Sequence, residues 1–182
     1  MTRVTVGTGV VWATPVVTSF GLTPAAAASG APTTMTLQRP LPNQNWGTSP
    51  FLGATPIDSI CVDFGGATGP TAQMLALNSD PNSSVNWQSL DFAMYFVQFT
   101  GGLTMFIYES GAFQATIGPV TAGDQMCIER SPAGVVTYTL NGTLVFTSGT
   151  TSMAPLFLDS SFWSQNTGFW STGASTWTVT AC

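Results

Sequence analysis

The acidic residues are the side chains whose chemistry can be tested most directly from the sequence. Hydrolysis of a glycosidic bond needs two carboxylates that face each other across the substrate. Two acids placed two positions apart on one strand would share a face, and no pair among the eight has that spacing. Asp58 and Asp63 are five positions apart, which directs them to opposite faces of a strand. The remaining candidates are Glu109, Asp124, Glu129 and Asp159.

Each of three candidates also has a simpler interpretation. Glu109 ends an apolar run beside Ser110-Gly111, which is typical of a solvated carboxylate at a turn. Asp124 follows Gly123 and is expected to bond nearby backbone, while Glu129 is expected to be solvated or paired. The chain has no histidine, which excludes Ser-His-Asp and Cys-His catalysis. We therefore predict no catalytic residues and no enzymatic activity.

Metal and cofactor sites have little support. The segment Asn78–Asn82 is rich in oxygen ligands but holds a single carboxylate, too few for a convincing calcium site. Cys61, Cys127 and Cys182 lack the paired spacing of zinc ligands. Free thiols are the favoured prediction, and a Cys61–Cys127 bridge stays open if their strands are neighbours. No metal and no cofactor is expected.

An aromatic cluster near the C-terminus could bind sugar. Sugar rings stack on aromatic side chains, and neighbouring amides supply hydrogen bonds. Aromatic side chains also dominate protein interiors and interfaces, and that alternative is favoured here. The cluster comprises Phe162, Trp163, Gln165, Asn166 and Trp170.

The elements that would position these residues are β-strands. Asn141-Gly142 meets the demand of a type I′ turn for two residues with positive φ. β-Branched and aromatic residues flank it, which predicts a hairpin of Val135–Leu140 and Thr143–Thr147. Gln125–Arg130 is predicted as a third strand, joined through the turn at residues 131–134.

Further short strands follow one another, with turn residues between them and no helical periodicity. This pattern predicts an all-β sandwich or barrel. The predicted strands are Ile57–Phe64, Thr71–Leu77, Asp91–Phe99, Leu103–Glu109, Ala112–Ile117, Ala154–Asp159 and Gly168–Thr180.

Two strands are apolar on both faces, although a solvated sandwich would leave one face polar. Something is therefore expected to cover the second face, such as an arm, another sheet or another subunit. That face carries Ala93, Tyr95, Val97, Phe99, Phe106 and Tyr108.

The order of these elements resembles a known family. Gly123-Asp124, a strand ending in Glu129-Arg130, another strand, Asn141-Gly142 and a last strand are similar to the central meander of concanavalin A-like (laminin-G-like) jelly rolls. The resemblance spans roughly residues 57–180. It implies an antiparallel jelly-roll β-sandwich. The wider texture of the sequence resembles bacteriophage structural proteins, among them capsid decoration or cement proteins and fibre proteins.

The first 50 residues differ from the rest, because Pro15, Pro24, Pro32, Pro40 and Pro42 interrupt them and no strand pattern develops. We predict an extended N-terminal arm over 1–50 and a β-sandwich domain over 51–182. Gly7, Thr8 and Pro15 interrupt the apolar N-terminal stretch, so a cleaved signal peptide is not expected. The arm residues predicted to contact a partner are Val4, Val6, Val10, Val11, Trp12, Val16, Val17 and Phe20.

The charge of the chain limits its partners. The net charge is −5, only 6% of residues are charged, and there are three Arg and no Lys. Nucleic acid and anionic membrane surfaces are therefore not expected as partners. No apolar run reaches the length of about 20 residues that spans a membrane.

Together these patterns predict a non-enzymatic virion structural protein, assembled in the host cytoplasm. The expected role is a capsid decoration or cement subunit, a homotrimer docked on the major capsid protein or another virion protein. The trimer is implied by the resemblance alone. The alternative is a carbohydrate-binding, lectin-like module of a phage fibre or of a secreted protein, for which a glycan would be the partner.

Overall fold

The computed structural model describes residues 33–37, 55–67, 71–80, 86–99, 102–162 and 175–181. These residues form eleven strands and one short 3-10 helix, Trp87–Ser89. The strands are β1 (Thr33–Leu37), β2 (Ser59–Ala67), β3 (Thr71–Asn78), β4 (Phe92–Phe99), β5 (Gly102–Glu109), β6 (Ala112–Val120), β7 (Gln125–Arg130), β8 (Val135–Leu140), β9 (Thr143–Thr151), β10 (Phe157–Phe162) and β11 (Ser175–Ala181).

The strands form two antiparallel sheets that pack as a sandwich. The six-stranded sheet has the order β1-β11-β2-β7-β8-β9, and the five-stranded sheet has the order β10-β3-β4-β5-β6. This architecture confirms the predicted antiparallel jelly-roll β-sandwich. Four of the nine strand pairs among the described residues join strands that are not consecutive in sequence, such as β2 and β7, so non-local contacts help to hold both sheets together.

The core lies between the sheets because alternate residues of each strand point inward. Burial of these side chains provides the main driving force for folding. The largest fully buried side chains of the core include Tyr138 of the six-stranded sheet and Phe96 of the five-stranded sheet. Both strands β3 and β4 are also buried on their outward faces, where Met74, Ala76 and Ala93 are almost inaccessible.

The central hairpin matches the sequence prediction. Asn141 and Gly142 have φ of 51° and 73°, the conformation that Asn-Gly adopts with least strain. The Asn141 side chain also ties the hairpin to its neighbour. Its Oδ1 accepts from the Gln125 backbone N–H at 2.9 Å, and its Nδ2 donates to Asp124 at 2.7 Å.

The predicted domain boundary at residue 50 stays a prediction. Within the segment interpreted as an arm, Thr33–Leu37 forms edge strand β1 and pairs with β11. The eight arm residues from Val4 to Phe20 lie outside the described residues, and so does the contact proposed for them.

A disulfide joins neighbouring strands of the six-stranded sheet. Cys61 of β2 lies directly opposite Cys127 of β7, and the two Cα atoms are 4.1 Å apart. The favoured prediction of free thiols is therefore wrong for this pair, and the alternative that depended on neighbouring strands applies. Sequence alone could not decide, because 66 positions separate the two cysteines.

Among the described residues, the structure contains no helix with the length and apolar character needed to traverse a bilayer.

Candidate functional site

The outward face of the five-stranded sheet is the candidate site. The strand register arranges its outward residues in rows, each row crossing the sheet. One row runs from Asp159 through Ala76, Ala93 and Tyr108 to Phe113.

The adjacent row contains Ser161, Met74, Tyr95, Phe106 and Thr116. Both rows therefore begin with polar side chains on β10, pass over small or flexible residues on β3, and carry aromatic rings on the strands beyond.

Five aromatic rings on this face form a continuous cluster. Tyr95 and Tyr108 meet edge to face with centroids 5.5 Å apart, and Trp87 meets Tyr108 in the same manner at 5.6 Å. Phe106 lies 6.0 Å from Tyr95, and Phe113 lies 5.7 Å from Tyr108. These separations lie in the favourable range for aromatic pairs. The rings thus hold one another in place.

A cavity of about 220 Å³ opens at this cluster, lined by Met74, Trp87, Tyr95 and Tyr108. It is smaller than the 300–1,000 Å³ typical of drug-sized ligand pockets, which suits a single ring of a longer ligand. Its wall combines aromatic rings, a flexible thioether and two phenolic hydroxyls. Such a wall can bury an apolar surface and still offer hydrogen bonds.

The short 3-10 helix places Trp87 over the sheet. Asn86 caps it by accepting from the Gln88 backbone N–H at 3.3 Å. Leu90, which is 1% exposed, follows the helix and packs on Ala76 and Ala93. The alanines are small enough to admit Leu90, so the alternation of small and large outward residues creates the space that the helix fills.

The β5–β6 turn supports the helix from below. Ser110 donates its backbone N–H to the Leu90 carbonyl at 2.9 Å. Gly111 has φ of 76°, and a Cβ there would lie 3.2 Å from the Gln88 backbone. The positive φ favours glycine at this position, and a Cβ would also crowd the Gln88 backbone. The turn therefore packs closely against the helix that carries Trp87.

Two carboxylates lie at the polar side of this face. Asp159 is 1% exposed. It accepts from Asn78 Nδ2 at 2.8 Å and from the Ser160 backbone N–H at 2.6 Å. Asp91, just before β4, accepts from the backbone N–H and the hydroxyl of Ser79 at 2.8 and 2.5 Å. Neighbouring positions 78 and 79 thus connect the two acids.

The hydroxyl of Tyr95 stays neutral across the physiological range. Burial, together with the nearby Tyr108, raises the pKa of Tyr95 to about 12. The phenol is therefore a hydrogen-bond donor as well as an acceptor in any ordinary buffer.

Glu109 does not belong to this face, and its prediction as a solvated turn carboxylate is wrong. It points between the sheets and is 8% exposed. Its two oxygens accept from Tyr138 Oη at 3.1 Å and from Ser148 Oγ at 2.9 Å. Burial raises the pKa of Glu109, and the two hydrogen bonds oppose this rise. Glu109 continues the alternation of the buried Met105 and Ile107 on β5, and this alternation turns its carboxylate inward.

The other predicted acids behave as expected. Asp124 is a turn residue that accepts from the Thr121 backbone N–H at 2.7 Å and from Asn141. These hydrogen bonds, with the one from Asn141 first, lower the pKa of Asp124. Glu129 is exposed on β7. It approaches the sulfurs of Cys61 and Cys127. Metal binding there would need thiolates, and both cysteines are oxidised to the disulfide.

The aromatic residues singled out from the sequence are not those of the described site. Trp163, Gln165, Asn166 and Trp170 lie outside the described residues, and of Phe162 only the backbone is described, at the end of β10. Sequence analysis did identify Tyr95, Phe106 and Tyr108 as part of a second apolar face. It missed Trp87 and Met74, whose role depends on a helix too short to leave a periodic pattern.

No protein-family model matches the chain, and no curated protein matches its sequence. Solved structures do resemble it. A β-glucanase from Bacillus licheniformis is 9% identical with a TM-score of 0.43, covering 85% of this chain and 99% of its own.

Two further similar structures are not glucanases. An alginate lyase from Pseudomonas aeruginosa is 13% identical with a TM-score of 0.45, covering 78% and 70% of the two chains. Sheep galectin-11 is 10% identical with a TM-score of 0.37, covering 67% and 90%.

These neighbours correct two predictions. Glucanases, a laminarinase and a lyase stand among them, where the sequence had predicted a non-enzymatic virion structural protein. The prediction of a capsid decoration or cement subunit and the prediction that the chain is not an enzyme are both wrong by this comparison. At such low identity the likeness shows the fold alone, which is the concanavalin A-like jelly roll.

Proposed function

We propose that the chain binds carbohydrate on the outward face of its five-stranded sheet. The observation that carries this proposal is the cavity lined by Trp87, Tyr95, Tyr108 and Met74. A sugar ring has apolar C–H faces and a polar rim of hydroxyls. Aromatic rings bury the first, while phenol hydroxyls satisfy the second.

The rest of the face extends the site beyond one sugar. Phe106 and Phe113 continue the aromatic cluster away from the cavity, and Phe113 is 55% exposed. A row of rings across several strands suits a chain of sugars better than a single one. We therefore expect oligosaccharides to bind more tightly than monosaccharides.

Binding to a panel of immobilised glucans, mannans and galactans tests this proposal directly. Tyr95→Ala and Trp87→Ala should each weaken binding by about tenfold or more, since burying a large side chain is worth roughly 1.5–3 kcal/mol. Tyr95→Phe keeps the ring and should retain most of the affinity. Thr139→Ala, on the other sheet, is the matched control.

The wild-type chain binding none of these glycans would contradict the proposal. So would equal losses for Tyr95→Ala and Thr139→Ala, since the second residue is far from the aromatic cluster. Near-ultraviolet circular dichroism of each variant checks that the fold is intact.

A second candidate is turnover of the bound glycan by Asp91 and Asp159 on the polar side of the same face; it requires the ligand to reach Asp159, which is buried. Two carboxyl groups are what acid–base cleavage of a glycosidic bond requires. Release of reducing ends from the glycans that bind, abolished by Asp159→Asn or Asp91→Asn, would support this candidate. Binding without any product would exclude it.

A further inference from the structure

We infer that the site selects neutral sugars and rejects acidic ones, an inference that rests on the carbohydrate binding proposed above. The starting observation is chemical composition. The strands β3, β4, β5, β6 and β10 and the 3-10 helix contain no Lys, Arg or His. No positive charge on these elements is therefore available to pair with the carboxylate of a uronic acid or with a sulfate.

The single basic residue within the described ranges is engaged elsewhere. Arg130 lies at the end of β7 in the other sheet. Its Nε donates to Asp58 Oδ1 at 2.8 Å, and its Nη1 also contacts the carbonyl oxygen of Ala154. The complete sequence has only two other basic residues, Arg3 and Arg39, which lie outside the described residues.

The charges that the face does carry oppose an anion. Asp159 and Asp91 lie on the same side of the sheet, and the chain as a whole has a net charge of −5. These carboxylates give an acidic sugar no counter-charge. A sugar carboxylate placed on this face would lose its hydration without gaining an ionic partner.

A cationic sugar gains little either. The carboxylate of Asp159 is buried, and both its oxygens already accept hydrogen bonds, from Asn78 and from the Ser160 backbone. The four described residues that line the cavity are neutral, and the phenol of Tyr95 remains protonated. Neutral hydroxyls are the groups that match this lining.

Matched hexasaccharides provide the test, measured by calorimetry on the full chain. Hexamers of mannose, glucose and galactose are compared with their uronic acid counterparts, which differ at C6 alone. At least one neutral hexamer should bind about tenfold or more tightly than its acidic counterpart at low ionic strength. Its affinity should change little between roughly 20 and 500 mM NaCl, because no ion pair is screened.

A variant that gains binding to acidic hexamers makes the test informative even where the wild-type chain binds them too weakly to measure. Gln88 is exposed and follows Trp87, so Gln88→Arg places a cation beside the cavity. It should bring about salt-sensitive binding of the acidic hexamers. Thr147→Arg adds the same charge on the outward face of the other sheet and should not.

The outcomes separate the two proposals. Tighter binding of an acidic hexamer by the wild-type chain would overturn the neutral selectivity and leave carbohydrate binding standing. Tighter binding of a glucosamine polymer, which is cationic, than of its neutral N-acetylated form would also overturn the neutral selectivity and leave carbohydrate binding standing. Binding of none of the hexamers would remove the proposed function itself, and this inference with it.

Discussion

The two sheets present opposite surfaces to the outside. The outward face of the six-stranded sheet carries polar residues such as Asp63, Gln125 and Thr137, together with the disulfide. The outward face of the five-stranded sheet carries Tyr95, Tyr108 and other aromatic rings. A sandwich normally leaves both outward faces polar, so the aromatic face departs from what folding requires. Carbohydrate binding is proposed for the aromatic face, and the following predictions test how the two faces differ.

Removal of the disulfide should have the largest effect on stability. In the chain-entropy relation, a crosslink spanning 66 positions is worth about 4 kcal/mol. The double variant Cys61→Ala/Cys127→Ala should lose about that much free energy of unfolding, measured by urea denaturation. Cys182→Ser is the control. Glycan binding should persist at temperatures where the variant is folded, since the bridge lies on the other sheet. An unchanged urea midpoint would contradict the bridge.

The same substitution on the two outward faces should have unequal effects. Leu90 is 1% exposed and Leu144 is 59% exposed. Leu90→Ala should cost about 2–5 kcal/mol, as for other buried leucines, and should also weaken glycan binding because Trp87 loses support. Leu144→Ala should stay within about 0.5 kcal/mol. Thermal denaturation of both variants measures the difference, and equal costs would show that the aromatic face is not packed as described.

Loss of one hydroxyl between the sheets should cost less. Tyr138→Phe removes a donor from buried Glu109 and should destabilise by about 1–3 kcal/mol. It should also move the pKa of Glu109 further upward, because this hydrogen bond lowers it. Tyr108→Phe on the outward face is the matched control. Urea denaturation at several pH values measures both effects, and a Tyr138→Phe curve identical to wild type at every pH would exclude the inter-sheet bond.

The smallest expected effects are two opposite pH dependences. The pKa of Glu109 is raised in the folded state. Its contribution to the free energy of unfolding is therefore present below the pKa of the unfolded chain and is lost as pH rises through the pKa of the folded state. The pKa of Asp124 is lowered in the folded state. Its contribution to the free energy of unfolding is therefore present above the pKa of the unfolded chain and is lost as pH falls through the pKa of the folded state.

Two isosteric variants separate these contributions. Glu109→Gln should flatten the decline of stability as pH rises from the acidic range towards neutrality. Asp124→Asn should flatten the decline on the most acidic side. Stability measured by urea denaturation from acidic to neutral pH would reveal both slopes, and reversed signs would contradict the burial of Glu109.

Local patterns predicted the fold well. Asn141-Gly142 determined its hairpin because only a turn with two positive φ values suits that pair, and the meander around it followed. The second apolar face was also readable, because Tyr95 and Tyr108 stand at alternate positions on their strands.

The site itself needed information that alternation does not contain. Trp87 reaches the face through one helical turn that rests on Gly111, a contact between distant segments. Between the sheets, alternation along β5 turns Glu109 inward, but the hydrogen bonds that its carboxylate accepts come from Tyr138 and Ser148, 29 and 39 positions away. Non-local contacts of this kind leave no trace in a short window of sequence.

The crosslink between Cys61 and Cys127 has one more consequence, for a protein exposed to proteases. The covalent ring that it closes contains β3, β4, β5 and β6, four of the five strands of the aromatic face. A single peptide-bond cleavage anywhere inside the ring leaves the chain in one piece, and the two fragments separate only after reduction. A chain that has been cleaved once can thus keep its aromatic face assembled, and it can stay folded after its backbone has been cut.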